Sequence, residues 1–153
     1  MTVSAELVGR QLPVIETTVS AERLRFFAEA IGERNPIYLD HQAAKAAGHP
    51  ELPIPPTMLF GLEFDGPAGF DWLTELGIDV RRILHGEQEF SYHSVAHAGE
   101  TLRLAPKIVE VYSKKAGALD FLVKETEITR VSDGSAVATA KSVIVVNNQG
   151  AVK

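Results

Sequence analysis

The segment Thr57-Met58-Leu59-Phe60-Gly61-Leu62-Glu63-Phe64 constrains the fold most. Pro56 suits the first turn of a helix, where its fixed φ fits and its missing N–H is not needed. Asp65-Gly66-Pro67 ends that helix. It is apolar nearly all round, and such a helix has to be buried. It is far shorter than the ~20 apolar residues of a membrane span, so the rest of the chain must enclose it.

The enclosure lies downstream. From Val80 the pattern changes, and Gln88, Phe90 and Tyr92 alternate with Glu87, Glu89 and Ser91, a period of two that means strand. Residues 101–112 are rich in strand formers, with Pro106 arguing for an edge or a bulge. In 119–131, Leu119, Phe121 and Val123 alternate with Asp120 and Lys124, which puts the odd-numbered residues on the apolar side. Ser132-Asp133-Gly134 reads as a tight turn. Residues 137–146 return as a strand that becomes apolar on both faces at Val143-Ile144-Val145-Val146, hence central or covered. The expected class is α+β. A curved antiparallel sheet wraps around one central apolar helix at about residues 57–64, the hot-dog arrangement.

The first half reads as helical and irregular. Residues 13–19 form a short strand; Ser20 then caps a helix, with Glu22 in its first turn complementing the dipole. Leu24, Phe27, Ala28 and Ile31 make one apolar face, and Gly32 stops the helix. Asp40 caps a second short helix with Ala43, Ala44 and Ala47 on one side and Gly48 at its end. Four prolines between Pro50 and Pro56 make a stiff connector. No repeat or linker divides the chain, so residues 1–153 are read as a single domain.

Composition excludes several functions. With no cysteine, disulfides, thiolate metal sites and a cysteine nucleophile are ruled out. A net charge of −5 without a basic run argues against nucleic acid as a partner. Arg81-Arg82 and Lys114-Lys115 could meet an anion locally, but the plainer reading is solvated surface. No secretory signal is apparent at the N-terminus, and the expected address is cytoplasmic, with no membrane partner.

The run Phe26-Phe27-Ala28-Glu29-Ala30-Ile31-Gly32-Glu33-Arg34-Asn35-Pro36-Ile37-Tyr38 resembles the signature of the MaoC-like dehydratase/hydratase family, a helix ending in Gly-Asp-x-Asn-Pro-(aliphatic)-His. An alanine-rich short helix, a Pro-rich connector, a buried helix, Gly86-Glu87-Gln88-Glu89-Phe90 and the run His97-Ala98-Gly99-Glu100-Thr101-Leu102 follow in the family's order, so the resemblance covers about residues 10–148. It implies a 3-hydroxyacyl-thioester dehydratase or enoyl-CoA hydratase component acting on acyl-CoA or acyl-carrier-protein thioesters, without cofactor or metal. In that family a carboxylate and a histidine hold the water that is added or removed, and a helix N-terminus polarises the thioester carbonyl. Here Glu33 matches the aspartate and Tyr38 the histidine, while Asn35 and Pro36 are retained. Tyrosine is no base near neutral pH. The double departure resembles the non-catalytic, HadA-like subunits of heterodimeric dehydratases, in which the second hot dog carries the intact pair. A homodimer or a heterodimer with such a subunit is therefore expected.

The resemblance makes Glu33, Tyr38 and Asn35 the catalytic-position residues. It makes Pro36, Thr57 and Met58 substrate-binding candidates, the last two as N–H donors because Pro56 has none. His41, close to Tyr38 in the chain, and His85, on a strand, are further substrate-side candidates. His93 and His97 have helical metal spacing, but the local pattern is strand and loop, so no metal site is expected. Glu63 and Asp65 keep two rivals open: a hot-dog acyl-CoA thioesterase using either carboxylate, and a non-enzymatic acyl-thioester-binding module.

Overall fold

The computed structural model describes residues 3–149. Among the described residues, five antiparallel strands form one sheet: β1 Ile15–Thr18, β2 Ile83–Tyr92, β3 Thr101–Lys114, β4 Leu119–Arg130 and β5 Ala136–Asn147, in the spatial order β1-β3-β4-β5-β2. Helices α1 Ala21–Ala30, α2 His41–Ala46, α3 Met58–Gly61 and α4 Asp71–Glu75 precede the four long strands. Among the described residues no helix is long and apolar enough to cross a membrane.

The caps lie where expected. Ser20 Oγ accepts the Arg23 N–H at 3.2 Å, and Asp40 Oδ1 accepts that of Ala43 at 2.7 Å. Gly32 and Gly48 end α1 and α2 at φ +74° and +92°, backbone that a Cβ would strain. Pro106 lies on β3 beyond the four-residue ladder with β1, where its missing N–H costs no ladder bond, and a bulge follows between Ile108 and Glu110.

The central helix departs from expectation. α3 has only four residues and tightens into a 3₁₀ turn, Leu62–Phe64. Met58, Leu59 and Leu62 enter the main core with Leu52, Ile54, Leu102, Leu104 and Ile128. Phe64 is exposed and Glu63 is buried, the reverse of what their side chains suggest. On the α1 face only Leu24 and Ala28 are buried; Ile31 is the cap residue and is exposed. Of the three alanines around α2, only Ala44 is buried.

β4 corrects the alternation read from its sequence. The even-numbered residues face inward: Asp120, Leu122, Lys124, Thr126 and Ile128 are all buried, while Phe121 stacks on Tyr112 at 4.7 Å on the other face. Asp120 tolerates burial because it accepts hydrogen bonds from the Val3 N–H (3.2 Å), Ser113 Oγ (2.5 Å) and Asn148 Nδ2 (2.9 Å). Lys124 tolerates it by pairing with Glu63. A second core cluster, with Leu73, Ile78, Ile108, Leu122 and Val146, fills that end of the sheet.

Candidate functional site

The turn after α1 is built from local hydrogen bonds. The Glu33 N–H returns to the Ala28 carbonyl at 2.9 Å. Glu33 Oε1 accepts the N–H groups of Arg34 and Asn35, both at 2.8 Å. Asn35 Oδ1 accepts the Ile37 N–H at 3.2 Å, and Pro36 opens a 3₁₀ turn that ends at Tyr38. One Glu33 oxygen and the Asn35 side chain thus hold the backbone that presents Ile37 and Tyr38.

These two residues line a cavity of about 450 Å³ with His49, Pro56, Leu59 and Tyr92. Its walls come from the 3₁₀ turn, the proline connector, the start of α3 and the end of β2. Burial, and then the charge of Glu33, push the Tyr38 hydroxyl above its usual pKa; burial and the nearby Tyr38 do the same for Tyr92. Both stay protonated at neutral pH. They can donate hydrogen bonds to a carbonyl, but neither can take a proton from water.

The other candidate residues lie elsewhere. Pro36, Thr57 and Met58 adjoin the cavity in sequence without lining it, and the Met58 N–H is already donated to the Pro55 carbonyl at 3.0 Å. His41 pairs with Glu51 at 2.9 Å. His85 stacks on Phe60 at 4.8 Å and borders a second cavity of about 260 Å³ with Phe64, Phe70 and Trp72. The two carboxylates of the thioesterase reading are tied to cations. Glu63 meets Lys124 under Trp72, and Asp65 takes two hydrogen bonds from Arg23 at 2.6 and 2.7 Å and one from Thr17 at 2.5 Å. Neither reaches the Tyr38 cavity. Arg81 is paired with Asp79, and Arg82 with the Asn147 carbonyl, so the Arg81-Arg82 pair is not free for an anion.

Tyr92 and His49 line the cavity without being marked by the signature at residues 26–38. Tyr92 ends the alternating run of β2, a visible position without a visible role. His49 stands between Gly48 and Pro50, where nothing local signals that the chain brings it to Tyr38.

Known proteins share this fold. Residues 6–140 match the family of FAS1-like, dehydratase domain regions. The chain is 37% identical over 146 residues to a UPF0336 protein of Saccharopolyspora erythraea, a match spanning 95% of this chain and 92% of the relative. The fold superposes on a chain of the C-terminally truncated HadBC (3R-hydroxyacyl-ACP dehydratase) complex from Mycobacterium tuberculosis. The TM-score is 0.77 at 25% identity, over 91% of this chain and 96% of that one. It also superposes on a chain of the ChsH1–ChsH2 complex of the same organism, with a TM-score of 0.69 at 26% identity over 90% and 88%. The hot-dog fold is also seen in a MaoC-like dehydratase from Rhodospirillum rubrum, and the class is that of dehydratase domains. Within it, this chain belongs to the FAS1-like dehydratase region family, together with the UPF0336 proteins.

Proposed function

We propose that this chain is an acyl-thioester-binding component of a 3-hydroxyacyl-thioester dehydratase or enoyl-CoA hydratase. The cavity beside the family's catalytic turn holds the thioester end of an acyl-CoA or acyl-carrier-protein substrate. That cavity supports the reading: it measures about 450 Å³, is apolar on most of its wall, and is lined by the hydroxyl-bearing Tyr38 and Tyr92. The HadBC neighbour, named a 3R-hydroxyacyl-ACP dehydratase complex, supports the substrate class. Tyr38 lines the cavity and is held protonated, whereas Glu33 gives one oxygen to its own turn and does not line the cavity, so this reading does not take the base from that pair. The base therefore comes from another cavity residue or from a second hot-dog subunit. A dimer fits β2, an edge strand on which Leu84 and Tyr92 are exposed.

Calorimetric titration of the purified chain with a saturated acyl-CoA, and with CoA alone, tests the reading. Acyl-CoA should bind and CoA should bind much less. Ile37→Trp, which fills the cavity from its partly exposed turn, should abolish acyl-CoA binding while circular dichroism stays unchanged. No binding by the native chain, or equal binding by Ile37→Trp, contradicts the assignment.

A further inference from the structure

Behind the Tyr38 cavity two histidines meet that play no part in the signature at residues 26–38. Nδ1 of His49 lies 3.1 Å from Nε2 of His97. The far side of His97 faces Glu100, whose Oε2 accepts the His97 backbone N–H at 2.6 Å and stands 3.6 Å from ring Nδ1. The other oxygen, Oε1, accepts from Arg130 Nε at 2.8 Å. Arg130 is fixed in turn by the hydroxyls of Ser94 (2.8 Å) and Ser135 (3.1 Å) and by the Val95 carbonyl.

These contacts favour one tautomer. Burial holds the His97 pKa below the ordinary histidine value despite the pull of Glu100, and the neighbouring His49 and Arg130 also disfavour a second cation there, so the ring is neutral near pH 7. A neutral imidazole has one donor and one acceptor nitrogen. The Glu100 carboxylate 3.6 Å from Nδ1 favours the hydrogen on that nitrogen, which leaves Nε2 to accept. In that tautomer His49 donates through its own Nδ1. Its Nε2 makes no hydrogen bond among the described residues and keeps a lone pair, on a ring that lines the cavity.

We propose that His49 is the base of this cavity, with His97 and Glu100 as the positioning residues that fix its tautomer. The proposal rests on the thioester reading of the cavity and goes beyond it by placing the base on this chain. In hydration, Nε2 takes one proton of a water as its oxygen bonds to C3 of a 2-enoyl thioester. The C2=C3 electron pair moves to the thioester as an enolate. The proton on His49 then returns to C2 through the Tyr38 hydroxyl, so both water hydrogens end on product and the site is restored. Dehydration runs the same steps backwards. The other titratable groups of the cavity are Tyr92 and His93, the latter held at 3.2 Å from the Thr139 hydroxyl.

The test uses the full chain and a series of trans-2-enoyl-CoA thioesters from short to long, with calorimetric binding in parallel. Turnover is expected, with kcat lowered about 10²–10⁴-fold in His49→Asn at little change in KM, the range for losing a general base. Glu100→Gln should shift the acid limb of the kcat–pH profile. Independently of turnover, ¹⁵N NMR of labelled imidazoles should find the His49 hydrogen on Nδ1 in the native chain and a mixture of tautomers in Glu100→Gln. Turnover that survives in His49→Asn, or a His49 hydrogen on Nε2, overturns the proposal. Binding without turnover overturns it too and leaves the thioester reading intact, whereas no binding removes that reading as well.

Discussion

Replacing Lys124 by methionine should cost this protein a large part of its stability. Lys124 Nζ contacts Glu63 Oε2 between β4 and the 3₁₀ turn after α3, and the two side chains are 9% and 4% exposed. The second Glu63 oxygen is buried with no hydrogen-bond partner among the described residues, so Lys124 is the main compensation for that carboxylate. Removing one partner of a buried pair costs about 3–5 kcal/mol, because the other charge stays behind without water. At about 2–4 °C per kcal/mol for a chain of this size, Lys124→Met should melt roughly 6–20 °C lower, read by circular dichroism or calorimetry. The double variant Glu63→Leu/Lys124→Met removes both charges and should recover most or all of the loss, since apolar replacement of a buried pair is close to neutral or stabilising. If Lys124→Met melts with the native protein, or the double variant is no better than the single, the pair does not carry the stability assigned to it.

Two further outcomes follow from named contacts. Burial pushes the Asp65 carboxyl up, but hydrogen bonds from Arg23 and Thr17 and the Arg23 charge outweigh it and hold the group below its ordinary value. A lowered carboxylate pKa stabilises the fold above the unfolded value near 3.9 and loses that contribution as pH falls through the folded value. Asp65→Asn should therefore lower the urea midpoint at pH 7 and change it little at strongly acid pH, and equal losses at both would contradict the linkage. Gly86 sits at the β2 bulge, where an added Cβ would lie 2.8 Å from Val145 Cγ2. Gly86→Ala should cost about 1–3 kcal/mol through overpacking, and an unchanged denaturation midpoint would show that Val145 yields freely.

The fold was legible where its cause is local. Ser20, Asp40, Gly32 and Gly48 act within one or two turns of where they stand, and their caps are in place. The alternation on β4 misled because burial there is decided at a distance. Lys124 is inward because Glu63 waits for it, and Asp120 because Val3, Ser113 and Asn148 donate to it. A polar residue read in isolation belongs outside; these two are inside because partners remote in the chain satisfy them. The same distinction divides the site. The turn from Glu33 to Tyr38 is held by bonds between near neighbours, and its signature shows in the sequence. The cavity that Tyr38 faces takes Tyr92 from β2 and His49 from the connector, and His49 meets its partner His97 48 positions further on. Only the folded sheet brings them together.

The proposed acyl-thioester site is the cavity that Tyr38, Tyr92 and His49 line. A crystal structure of the chain with a non-hydrolysable acyl-CoA thioether addresses it directly. Electron density for the thioether between Tyr38, Tyr92 and His49 is the expected result; density confined to the second cavity between Phe60 and Trp72, or to the surface with the Tyr38 cavity holding only water, would contradict it.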